Sequence, residues 1–135
     1  MKKATCYVTS LAAAAMLFAV TGCQSVSTTT TQSIGVPTFP PTDPATVQIL
    51  RTEPTRPNIR LGEIHAEPYS ESTPAVKIEE ALQKAAAKLG ANAAVVVYDK
   101  TQVVGAMVTG PWYGRSIENI TGRVVVAVAI RYTGP

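Results

Sequence analysis

One stretch of this chain, Pro74 to Leu89, repeats its apolar residues at helical spacing, with short apolar runs before it and valine-rich runs after it. A single amphipathic helix among strands has one stable place to bury its stripe, the face of a sheet. Ile78, Leu82, Ala85 and Leu89 recur at steps of four, three and four and form that stripe. Glu80 and Lys84 make a favourable pair on the exposed side. Ser72 and Thr73 are candidates for the N-terminal cap, Pro74 suits the first turn, and Gly90 marks the exit.

The strands follow from β-branched content. Val47 to Leu50 is a short apolar run, and Ile59 to Glu67 a second strand. Pro54 and Pro57 between them remove two donors, so Glu53 to Pro57 turns. In the second strand the alternation slips near Gly62, where a bulge would realign it. After the helix, Ala91 to Tyr98, Gln102 to Val108 and Arg123 to Tyr132 read as three more strands. Asp99-Lys100-Thr101 is short enough for a hairpin turn between the first two of these. The expectation is an α+β fold in residues 45–135: a two-layer sandwich, one helix on a mostly antiparallel sheet of about five strands, in the order β-β-α-β-β-β.

The N-terminus belongs to no such fold. Met1-Lys2-Lys3 is positive, and Val8 to Val20 is an apolar core of 13 residues. A helix of that length rises about 20 Å, short of a hydrocarbon layer of about 30 Å. It reads as a secretory leader. The core ends in Val20-Thr21-Gly22-Cys23, which resembles the lipobox of bacterial lipoproteins. That resemblance implies a signal peptide over 1–22, diacylglycerol on the Cys23 thiol, cleavage between Gly22 and Cys23, and acylation of the new amine. Several acyl chains anchor a protein far more firmly than one. Gln24, where an Asp would mark retention in the inner membrane, looks like an outer-membrane address. From Ser25 to Asp43 the chain is Ser/Thr-rich and then proline-rich, so 23–44 reads as the lipidated cysteine and a disordered tether.

Charge and cysteine narrow the function. The chain carries 12 basic and 9 acidic residues; removing Lys2 and Lys3 leaves 10 against 9, a net charge of +1. That balance gives no electrostatic reason to expect nucleic acid. There are two cysteines, Cys6 in the leader and Cys23 at the lipid site. The domain is left without a thiol for a disulfide, a zinc site or a nucleophile.

Several constellations merit weighing. Glu63, His65 and Glu67 alternate on one strand face about 7 Å apart, too far for adjacent ligands of one ion. His65 is the only histidine, so a solvated polar face is expected, with no metal and no cofactor. Ser70, His65 and Asp99 could be drawn as a hydrolytic trio, but no nucleophile-elbow motif accompanies them. Gly105, Gly110, Gly114 and Gly122 lack phosphate-cradling spacing, and the Asn119-Ile-Thr121 sequon is read as chance. The long connection Thr109 to Gly122 carries the only Trp. Trp112, Tyr113 and Arg115 are residue types that anchor protein, glycan or lipid-headgroup partners. The structural alternative, given precedence, has Trp112 folding back to close the open end of a small core.

The Val47-Gln-Ile-Leu50 strand, the Pro54-x-x-Pro57 turn, Leu61-Gly-Glu-Ile64, the junction Ala85-Ala-Ala-Lys-Leu-Gly-Ala-Asn-Ala-Ala94 and the final Val128-Ala-Ile-Arg131 together resemble small envelope domains. They are similar to uncharacterised bacterial lipoproteins and, more distantly, to the outer-membrane sensor lipoprotein of the Rcs phosphorelay. The resemblance implies a lipid anchor, a proline-rich linker and a signalling α+β domain; that sensor is tied by disulfides, which this domain cannot form. The expected function is a non-enzymatic binding or sensing module, lipid-anchored at the outer membrane and facing the periplasm. Its partner would be an envelope protein or glycan. A self-associating structural envelope protein is the alternative, and a hydrolase the third reading.

Overall fold

The computed structural model describes residues 25–134. The leader, Gly22 and Cys23 lie outside the described residues. Five strands and one helix follow in chain order: β1 (Val26–Gln32), β2 (Gln48–Leu50), β3 (Asn58–Pro68), α1 (Ala75–Lys88), β4 (Ala93–Thr109) and β5 (Ser116–Tyr132), with a 3-10 turn at Pro44–Thr46. The class is α+β, with one helix and a five-stranded mixed sheet ordered β1-β3-β5-β4-β2. Neighbours are antiparallel except β2, which lies parallel to β4. The observed order β-β-β-α-β-β corrects the expected β-β-α-β-β-β.

The added strand comes from the stretch read as a tether. Val26 to Gln32 pairs with β3 from Pro68 to Gly62. Its Ser/Thr side chains are exposed, and only Val26 is buried. Hydroxyl residues with β-branched members fit a strand when a neighbour supplies the ladder. The following segment is docked too: Thr42 donates from its backbone N–H to Ala87 O (3.0 Å) and from its hydroxyl to Ala91 O (2.6 Å). Phe39 packs on the core, with the Arg131 guanidinium 4.6 Å from its ring centre.

The second correction concerns β4. Asp99-Lys100-Thr101 makes no turn; these residues continue one strand opposite Val125, Val124 and Arg123. Asp99 is held there by Arg123, and this pairing outweighs the local turn preference of Asp. The bulge expected near Gly62 is present, as a register shift between Arg60 and Gly62. Gly62 also lets β1 pass close by, since a Cβ there would strike the Thr31 carbonyl.

The core lies between α1 and the sheet. Ile78, Leu82, Ala85, Ala86 and Ala87 of the helix meet Leu61, Ile64, Ala66, Ala94, Val125, Ala127 and Ala129. Alanines on both sides let the helix approach the strands closely. Neither Ser72 nor Thr73 caps the helix: Pro74 stands at the N-cap without a side-chain bond. The exit is as expected. Gly90 takes φ +77°, and Gly90 and Ala91 donate to Ala87 O and Ala86 O at 3.0 and 3.1 Å, the Schellman pattern. A smaller cluster, Ala93, Val95, Val128 and Ile130, is buried on the opposite face beside Leu50 and Tyr132.

Candidate functional site

β4 and β5 are far longer than the sheet they belong to. β2 pairs with β4 only as far as Val95, and β3 with β5 only as far as Val125. Beyond those points the two strands continue alone, from Thr101 opposite Arg123 to Thr109 opposite Ser116. The result is a two-stranded arm closed by Gly110 to Arg115. Gly110 has φ +98°, and Gly114 donates to Pro111 O at 3.0 Å.

Both faces of the arm carry exposed apolar side chains among polar ones. Counting in steps of two from Val125 and Ala127, which face the helix, puts Thr121, Asn119 and Ile117 on the helix side, with Val103 and Val108 as partners. Ile120 and Met107 point to the other side, joined by Val104, which lies over Gly122. Val103, Val104, Met107, Val108, Ile117 and Ile120 are between 43% and 70% exposed. At the tip, Trp112 is 84% and Tyr113 78% exposed, their rings edge to face at 5.7 Å. Trp112 therefore does not fold back to close the core, which corrects the expectation that took precedence. The connection is also shorter than expected, because Ser116 to Gly122 belongs to β5.

The root of the arm is clasped by charge. Arg123 donates through Nε and Nη2 to the two carboxylate oxygens of Asp99, at 2.7 Å each. Arg51, from the β2–β3 connection, reaches Asp99 at 3.7 Å and Glu79 of α1 at 3.1 Å. The Arg123 hydrogen bonds hold the Asp99 carboxyl below its usual range, helped by the charges of Arg123 and Arg51 and opposed by burial. The same bonds raise the Arg123 guanidinium. Thr121 donates to Glu71 at 3.1 Å, tying the arm to the loop before α1.

The residues proposed for chemistry are not brought together. His65 stands opposite Val126 and Asp99 opposite Val125, so alternation places them on opposite faces of the sheet. Ser70 is engaged with Ser72, their hydroxyls 2.7 Å apart. The Ser70, His65, Asp99 trio does not form. His65 Nε2 lies 2.7 Å from Glu63 Oε1, a half-buried pair, and among the described residues no group of His, Cys, Asp and Glu has metal-binding geometry. A groove of about 490 Å³ lies beside the smaller cluster, floored by Val95, Val97 and Val128 and walled by Arg51, Glu53 and Arg60.

Trp112, Tyr113 and Arg115 are legible in the sequence, as is the strand Gln102 to Val108 leading to them; the returning strand from Ser116 to Gly122 is not. The signal that identifies the arm is the β-branched content of Val103, Val104, Val108, Ile117, Ile120 and Thr121 on both sides of Gly-Pro-Trp-Tyr-Gly.

No protein-family model matches the chain, and no curated protein matches it. Among solved structures the chain is similar to a Francisella virulence factor, FvfA, at 13% identity and a TM-score of 0.50, over 77% of this chain and 96% of that one. At that identity the likeness concerns the fold. No helix among the described residues is long and apolar enough to cross a membrane.

Proposed function

We propose that the chain is a lipid-anchored, non-enzymatic module of the bacterial envelope, held by acyl groups on Cys23 and binding another envelope component through the β4–β5 arm. The observation that supports binding is the arm itself. Isolated two-stranded ribbons are marginal in water, and contiguous apolar surface outside a core marks interaction sites. The anchor is supported by the leader and by Gly22-Cys23 at its end. A two-layer arrangement, helix on sheet, serves as the rigid base from which the arm projects. β1 begins at Val26, three residues after Cys23, so the acyl groups would sit beside the domain and not at the end of a long tether. The outer membrane, with the domain in the periplasm, is the location that Gln24 favours.

The test is the mass of the N-terminal peptide from the membrane fraction. A peptide beginning at Cys23 with three acyl chains is expected, and Cys23→Ser should release the protein to the soluble fraction. An intact Met1 or a free thiol at Cys23 contradicts the proposal. A second reading, self-association, is favoured by the unpaired edges of the arm; sedimentation of the purified protein as a stable oligomer would support it.

A further inference from the structure

The strand registers fix the direction in which the arm points. Val26 pairs with Pro68, and the β3–β5 ladder, which sets Ala66 against Val125, places Pro68 level with Arg123. Arg123 is also the root of the arm. The chain therefore enters the fold at the end of the sheet from which the arm projects, and Cys23 precedes that entry by three residues. Three residues reach at most about 11 Å. The seven residue steps from Arg123 to Ser116 carry the arm about 23 Å in that direction. An anchor this short and an arm this long meet one surface when the arm leans into it, its tip and flanks sunk within the headgroup layer.

We infer that the partner of the arm is the phospholipid surface holding the Cys23 acyl chains, with Trp112, Tyr113 and the flanking Val108 and Ile117 seated at the level of its headgroups and glycerol backbone. This rests on the lipid-anchored reading above. Tyr and Trp, apolar rings with one polar edge, favour that depth, and Arg115 beside them suits phosphate oxygens. From Thr101 to Thr121 the arm has only Arg115 and Glu118 as charged residues. Its apolar side chains occupy both faces. A second copy or a protein partner packed on one face would leave the other in water, whereas lipid surrounds both. The unpaired strand edges set the depth: hydrocarbon would leave their N–H and C=O groups unsatisfied, and the hydrated headgroup layer does not.

Trp112 is the only tryptophan, so its fluorescence reports the arm alone. The acylated protein is reconstituted into vesicles of phosphatidylethanolamine and phosphatidylglycerol, with or without lipids brominated high on the acyl chain. Brominated lipid is expected to quench Trp112 at least two-fold and to leave it unquenched in V108D/I117D, which stays on the vesicles through the same acyl groups. Unquenched wild-type emission, with acylation of Cys23 verified by mass, overturns the inference and leaves the anchor standing. A blue shift that grows with protein density and ignores bromine overturns it in favour of a second copy. If the N-terminal peptide carries no acyl group, the anchor falls and the inference with it.

Discussion

β4 and β5 are each 17 residues long and pair with one another almost throughout, yet their two halves meet different surroundings. Near the helix, Ala93, Ala94, Val95, Ala127, Val128, Ala129 and Ile130 are all buried. In the arm, Val103, Val108 and Ile117 have the same chemistry and remain more than half exposed. The two strands pair with one another in both halves, but only the body half has β2 and β3 on their outer edges and a covering on its faces. In one half α1 covers one face and the β2–β3 connection flanks the other, and in the other half both faces are open. Strand formation and burial are thus separate properties, and this hairpin has the first along its whole length and the second along half.

The comparison is sharpest for single side chains. Leu82→Ala, in the fully buried stripe of α1, should cost about 2–5 kcal/mol in equilibrium denaturation. Ile117→Ala in the arm should change stability by about 0.5 kcal/mol or less. Comparable losses would mean that the arm is packed against something. Gly90→Ala comes next. The substitution demands φ +77° of an L-residue and sets its Cβ 2.6 Å from Phe39 Cβ and 2.8 Å from Pro40 O, so a loss of about 1–3 kcal/mol is expected.

Where body and arm join, Asp99→Asn should cost about 1.5 kcal/mol at neutral pH by weakening two charge-assisted bonds. Because the folded carboxyl lies below its ordinary 3.8, its contribution is present above that value and is lost as pH falls through the lower folded value. Acid titrations of stability should therefore be flatter in the variant below about pH 4. A small effect is expected even from removing the whole arm. Replacing Val104–Ile120 with Asn-Gly joins Val103 to Thr121, which already face each other, through a favoured two-residue turn. The shortened protein should unfold with stability within about 1 kcal/mol of the original; a larger loss would make the arm part of the folding unit.

The same division explains what the sequence discloses. The helix, the β3 bulge and the valine strands are legible because each carries a local signature: an apolar stripe, a slip in alternation, a β-branched run. β1 is not, since Ser27 to Gln32 faces water and owes its strand conformation to β3, distant in sequence. Asp99-Lys100-Thr101 misleads for a related reason, its turn-favouring Asp being fixed by Arg123 from the neighbouring strand. Trp112, Tyr113 and Arg115 can be singled out by residue type, but whether an aromatic closes a core or stands clear of it depends on where the covering helix ends. That is a property of the assembled layers, and no spacing within Thr109 to Gly122 encodes it.

Amide hydrogen exchange on the purified protein without lipid tests the division of the hairpin most directly. Amides of Ala93–Val96 and Ala127–Ile130 should exchange only through global unfolding, while those of Val103–Thr109 and Ser116–Thr121 should exchange orders of magnitude faster through opening of the arm alone. Uniform slow exchange along both strands would contradict an uncovered arm, and with it the surface on which the proposed function depends.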